Sequence, residues 1–136
     1  MATASHFVCD VIKGASFGRD EKFRMLCLLD NSPTLSAYAN DVGYAEVIVE
    51  QLKNFASEGD LVIAISGSGN SPNVVAATAW GRGNGCRTIA MTGRDGGQLK
   101  EFADCHINVK EQHMGRIEDG HMVACHMLAY LFMEQK

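Results

Sequence analysis

No apolar run in this 136-residue chain reaches 18 residues, so no segment is long enough to cross a bilayer as a helix, and no basic stretch followed by an apolar core marks the N-terminus for export. Basic runs are also missing and the net charge is −4, which makes nucleic acids and acidic membrane surfaces poor partners. There is no CxxC pair. The five cysteines, Cys9, Cys27, Cys86, Cys105 and Cys125, are odd in number, widely spaced and mostly inside apolar runs, so they read as buried free thiols in a reducing cytoplasm, with no disulfide framework. Internal repeats and low-complexity linkers are absent, so residues 1–136 read as one domain. Prolines are scarce, and both Pro33 and Pro72 fall where helices are expected to start.

What is present centres on Asp60–Pro72, DLVIAISGSGNSP. Five apolar residues bounded by turn formers predict a strand buried on both faces, and the small polar residues after it lead into a helix beginning at Pro72. A loop of glycine and serine thus lies at the carboxyl end of a parallel strand, where open α/β sheets bind ligands. Backbone N–H groups, the hydroxyls of Ser66, Ser68 and Ser71 and the positive end of a helix suit an anion. The loop lacks the lysine of a P-loop, and Pro72 stands where a dinucleotide fingerprint requires its third glycine. A monophosphate ester held by hydrogen bonds fits better than a triphosphate. The plainer alternative is a flexible turn with a helix cap at Ser71.

Around this stretch the pattern alternates. Ala4, Phe7, Val8 and Val11 predict a helix over residues 2–13, ended by Gly14, and residues 14–22 read as a mobile loop. Arg24–Leu29 predicts a short strand, Asn31-Ser32-Pro33 a helix start, residues 38–43 a turn and residues 44–55 a helix. After Trp80, which is expected to pack on the sheet or on a partner subunit, Gly81, Gly83 and Gly85 stop the helix. Cys86–Met91 and Cys105–Val109 read as further strands, residues 98–103 as a brief helix and residues 115–133 as a long closing helix. Strands alternating with helices predict a doubly wound parallel α/β sheet of about four strands.

His6 and Asp10 are four apart on one helix face, a pair that can share a metal, relay a proton or form a plain helix ion pair. The closing helix carries Glu118, Asp119, His121, Cys125 and His126 within nine residues. His121 beside Cys125 reads as a core histidine next to a buried thiol, while His106 and His113 read as surface histidines.

The segment Ile65-Ser66-Gly67-Ser68-Gly69-Asn70-Ser71 resembles the phosphosugar loop of the SIS (sugar isomerase) domain family. The resemblance continues through Ala4-Ser5-His6-Phe7, Asn40-Asp41-Val42-Gly43, Thr92-Gly93-Arg94-Asp95-Gly96-Gly97 and Arg116-Ile117-Glu118-Asp119-Gly120-His121 to His126. Within the family the set is similar to the branch that interconverts sedoheptulose 7-phosphate and D-glycero-D-manno-heptose 7-phosphate for lipopolysaccharide heptose. The resemblance implies a flavodoxin-like fold, with the family's N-terminal helix, first strand and Gly-Asn-Gly-Gly-Ser loop lying ahead of the first residue here. It implies a phosphorylated sugar bound by Ser66, Gly67, Ser68, Asn70, Ser71, Asn40, Asp41 and Thr92. It also implies zinc on His6, Asp10, Glu118 and His126, with Asp10 as base and His126 as acid. Family members are homo-oligomers, dimers of dimers whose sites form between subunits. Three positions depart from the pattern: Asp10 replaces the usual Glu, Glu118 the usual Gln, and Gly14 an arginine.

Two further readings remain in view. A non-catalytic SIS module would bind a phosphosugar to regulate or assemble with a partner, and a flavodoxin-like nucleotide-binding domain would take FMN or NAD. Both spare the chain any need for His6, Asp10 and His126 to converge.

Overall fold

A computed structural model of the chain describes residues 1–135. Helix α1 (Ala2–Cys9) runs straight into a π turn (Asp10–Ala15), followed by α2 (Ser32–Asp41), α3 (Val47–Phe55), β1 (Leu61–Ser66), α4 (Pro72–Gly83), β2 (Arg87–Gly93), a 3₁₀ turn (Gln98–Phe102), β3 (Cys105–Val109) and α5 (Met114–Glu134). The strands form one parallel sheet in the order β1-β2-β3, with Leu61 opposite Arg87 and Ile89 opposite Cys105. Among the described residues no helix is long and apolar enough to cross a membrane.

Side chains alternate across each strand, so each strand feeds both faces of the sheet. Ala64, Ala90 and Leu99 lie against Val74 and Val75 of α4 on one face. On the other, Ile63, Ile65, Met91 and Ile107 meet Phe7, Val11, Cys125 and Ala129 from α1, the π turn and α5. Helix α3 covers α4 through Val49, Leu52 and Ala77, and Trp80 packs there too. This is the doubly wound α/β arrangement.

Several expectations need correction. The sheet has three strands, because residues 24–29 make no ladder hydrogen bonds. Met25 packs into the α1–α5 cluster and Leu28 into the α3–α4 cluster, so the strand-like alternation is satisfied by packing on two faces without pairing. β1 is accordingly an edge strand, with Leu61 53% exposed, and is not buried on both faces. The turn expected from Tyr38 is helical through Asp41, where Val42 N–H closes on Tyr38 C=O before Gly43 turns the chain at φ +93°. All five cysteines are free, yet only Cys86 and Cys125 are buried, while Cys9 and Cys105 are exposed.

Candidate functional site

The serine loop stands at the top of β1, as its sequence predicts. Ser66 is buried and its hydroxyl donates to Ser71 Oγ at 3.2 Å. Ser71 occupies the N-cap of α4, but its side chain makes no capping hydrogen bond. Ser71 Oγ accepts from Ser66 and donates to no group among the described residues, so its hydrogen is free beside the positive end of the helix. Ser68 Oγ accepts from Asn70 N–H at 3.2 Å, and Asn70 Nδ2 donates back to Ser68 C=O at 3.1 Å, so Asn70 fixes the tip of the loop. Gly69 turns the chain at φ +66°.

A second loop, Gly93–Gly97, leans against the first. Gly93 N–H donates to Gly67 C=O at 3.1 Å, and Leu99 N–H donates to Gly69 C=O at 2.9 Å. A Cβ on Gly69 would lie 2.0 Å from Gly96 O, so the two loops touch backbone to backbone. Helix α5 closes over them, since a Cβ on Gly67 would meet Met114 Sδ and one on Gly93 would meet Ile117. A cleft of about 510 Å³ opens on the other side of Ser71, lined by Asn73, Ile65, Tyr44, Leu35 and Met1. Asn73, which sequence reasoning passed over, is buried on this cleft; its place two residues after Ser71 was the available signal.

A second group forms where α1 meets α5. His6 Nε2 and His126 Nε2 are 3.2 Å apart, and each also approaches Asp10 Oδ2, at 3.4 and 3.7 Å. All three donor atoms lie within 4.8 Å of one another. Asp10 Oδ2 is buried and has no hydrogen-bond partner. A buried carboxylate oxygen without a donor is costly, and two imidazole nitrogens at this distance must share either a proton or a cation. Donors about 2.0–2.1 Å from a tetrahedral zinc ion stand about 3.3 Å from each other, close to the edges seen here. Three donors and a half-open side, with His6 52% and His126 41% exposed, fit a cation that keeps one position for another ligand.

Other expected site residues lie elsewhere. Glu118 is exposed and does not join the donor group: α5 is regular from Met114, so eight residues put it about 12 Å of helix rise from His126. Thr92 is fully buried with its hydroxyl bonded to His106 and Asn108, so it offers nothing to a ligand. His106 is exposed, as expected of a surface histidine, and its Nε2 also bonds to Thr92. Asn40 and Asp41 are exposed at the end of α2, where Asn40 Nδ2 donates to Asp41 Oδ1 at 2.9 Å. His121 is the expected core histidine, its Nε2 bonded to Thr92 C=O at 2.9 Å.

The serine loop and the histidine–carboxylate group are separate within one chain. Ile117 closes on Gly67 and Gly93, whereas His126 lies nine residues further along α5, about 13 Å of rise. Met1 lines the cleft and precedes His6 by five residues, about 7.5 Å.

A parallel doubly wound sheet with a serine loop at one strand end and helices on both faces defines the class. The SIS domain profile matches residues 1–93, and the chain belongs to the SIS domain family. Among its relatives are phosphoheptose isomerases. The one from Citrifermentans bemidjiense is 36% identical over 130 residues, 96% of this chain and 67% of the relative's length. The probable phosphoheptose isomerase of Thermoplasma acidophilum is 37% identical over 98% of this chain and 73% of its own. The phosphoheptose isomerase structure from Neisseria gonorrhoeae superposes with a TM-score of 0.88 at 28% identity, covering 96% of this chain and 69% of that one.

Proposed function

We propose that this chain is a phosphosugar aldose–ketose isomerase that interconverts sedoheptulose 7-phosphate and D-glycero-D-manno-heptose 7-phosphate through an enediolate. The observation that carries the reading is the convergence of His6, Asp10 and His126 from near the two ends of the chain, with Asp10 Oδ2 left without a partner. A module that only binds phosphosugars needs the serine loop and has no use for these three donors. The names of the relatives support the same reaction.

The phosphate end of the sugar is held by Ser66, Ser68 and Ser71, the N–H groups of the loop and the positive end of α4. Isomerisation then moves one carbon-bound proton between C1 and C2. Asp10 takes it from C1 of the ketose and returns it at C2, while His126 gives a proton to the C2 carbonyl oxygen and takes one from the C1 hydroxyl. A divalent cation such as zinc, held by His6, Asp10 Oδ2 and His126 Nε2, would supply positive charge for the developing oxyanion and would leave the proton transfers to Asp10 Oδ1 and His126 Nδ1. The base here is one methylene shorter than Glu, so the carbon must sit correspondingly nearer to it.

Within one chain the phosphate loop and the acid–base group are about 13 Å apart along α5. The half-exposed histidines adjoin an exposed apolar row on α5, Val123, Met127, Tyr130 and Leu131. Both observations support a homo-oligomer, a dimer or a tetramer, in which another copy helps to close the site. The free thiols and the sugar-phosphate substrate suit the cytoplasm, and the product suits lipopolysaccharide heptose synthesis.

Metal analysis of the purified protein and conversion of sedoheptulose 7-phosphate test the reading. Asp10→Asn and His126→Ala are each expected to lower turnover by about 100-fold or more, with sugar-phosphate binding retained. Wild-type turnover in both variants would overturn it.

A further inference from the structure

The mechanism above leaves one polar network unused, the one beneath the second loop. Thr92 and Asn108 face each other across β2 and β3, and His106 lies two residues before Asn108 on the same face of the sheet. Thr92 Oγ1 donates to Asn108 Oδ1 at 3.3 Å, which spends its single hydrogen. The 2.7 Å contact between Thr92 Oγ1 and His106 Nε2 is then a bond donated by the imidazole. Asn108 Nδ2 in turn donates to Arg94 C=O at 3.2 Å. Among the described residues Arg94 is the non-glycine that adopts positive φ, +54°, so this bond holds a bend that the backbone disfavours. The imidazole, although the residue is exposed, also lies against the loop: a Cβ on Gly96 would be 2.8 Å from His106 Cε1.

What this network holds is the platform of the serine loop. Gly93 N–H bonds to Gly67 C=O, Gln98 N–H to Asn70 Oδ1 at 2.9 Å and Leu99 N–H to Gly69 C=O. A Cβ on Gly97 would fall 2.6 Å from Ser68 O. With no side chain between the two backbones, displacement of Gly96 and Gly97 is passed directly to Ser68 and Gly69.

We infer that His106 is a positioning residue for anion binding: from β3, through Thr92 and the underside of Gly96, it sets the Gly93–Gly97 loop and thereby the shape of the serine loop that grips the phosphate. It touches no reacting atom. The inference rests on the serine loop being the phosphate site, and inorganic phosphate is therefore the probe alongside the sugar phosphate.

Binding of inorganic phosphate by calorimetry and steady-state kinetics with sedoheptulose 7-phosphate are measured for wild type, His106→Ala and His106→Gln. For His106→Ala, phosphate affinity is expected to fall and KM to rise by about tenfold, the worth of one hydrogen bond to a charged group, with kcat within about twofold of wild type. His106→Gln, which can still donate to Thr92, is expected to recover most of the affinity. Unchanged phosphate affinity in His106→Ala, or a fall in kcat with KM unaltered, overturns the inference. If His106→Ala does not fold, Asn108→Ala, which removes the hold on Arg94, is read by the same criteria. Wild-type protein that binds no inorganic phosphate and no sugar phosphate would overturn this inference and the proposed function together, whereas failure of His106→Ala alone leaves the proposed function standing.

Discussion

Cys125 lies where α5 meets β2 and the π turn, fully buried with its Sγ 3.8 Å from Met91 Sδ. Burial, and then the nearby Asp10 carboxylate, push its thiol from an ordinary 9.0 up to about 11. Above pH 9 the unfolded chain gives up this proton while the folded chain keeps it. The folded state then binds more protons, so the contribution to stability is fully present below pH 9 and is lost as pH rises towards 11. The slope from this one group is at most about 1.4 kcal/mol per pH unit. In thermal unfolding followed between pH 8 and 11, the wild-type midpoint is expected to fall more steeply than that of Cys125→Ala, which starts lower because it leaves a small cavity. Parallel curves would show that the thiol is not held neutral by the fold. Cys86, raised by burial and by Asp60, acts in the same direction and is common to both proteins.

Among the elements, α5 reaches both candidate sites, since Met114 and Ile117 lie over the two loops, His121 and Cys125 enter the core and His126 reaches α1. Its last turn is finished from outside. Arg19 Nη2 donates to the C=O groups of Phe132 and Gln135, the latter at 2.9 Å, and Phe23 stacks edge-on against Phe132 with ring centroids 4.9 Å apart. A cation at the negative end of a helix is favourable, so the segment read as a mobile loop is tied down at Arg19. Arg19→Ala is expected to cost about 1 kcal/mol in urea unfolding, with loss of amide exchange protection confined to residues 130–134. Protection lost evenly along α5 would contradict the capping role.

The same elements show what the sequence made legible. β3 and α5 follow their hydrophobic periods almost to the residue, and the serine loop is announced by its own composition. Residues 24–29 have the alternation of a strand, yet they stay unpaired although β1 has a free edge, because Met25 and Leu28 are held in two separate clusters by long-range packing that no local pattern records. His106 looked like any exposed histidine because its role depends on the register of β2 with β3, fixed at long range. Glu118 was carried by resemblance, and a regular helix keeps it from His126.

For the molecule as a whole, the meeting of His6 and Asp10 with His126 ties the first helix to the last, across a sequence separation of 120 residues for the two histidines. The rest of that contact is apolar: Phe7 and Val11 pack with Cys125 and Ala129. A cation bound at the three donors would therefore cross-link the two helices that cover one face of the sheet, and folding and metal binding become linked. Ligand that binds only the folded chain stabilises it by about 2.7 kcal/mol at 100 times its dissociation constant. Zinc added to chelator-treated protein is thus expected to raise the thermal midpoint, and chelator to reverse the rise. His6→Ala or His126→Ala should abolish the response, whereas Glu118→Ala should leave it intact. A midpoint indifferent to zinc in the wild type would remove the cation from the site, leaving His6, Asp10 and His126 to share protons alone. A response lost in Glu118→Ala would show that this carboxylate reaches the cation, either by α5 opening at its start or from another copy.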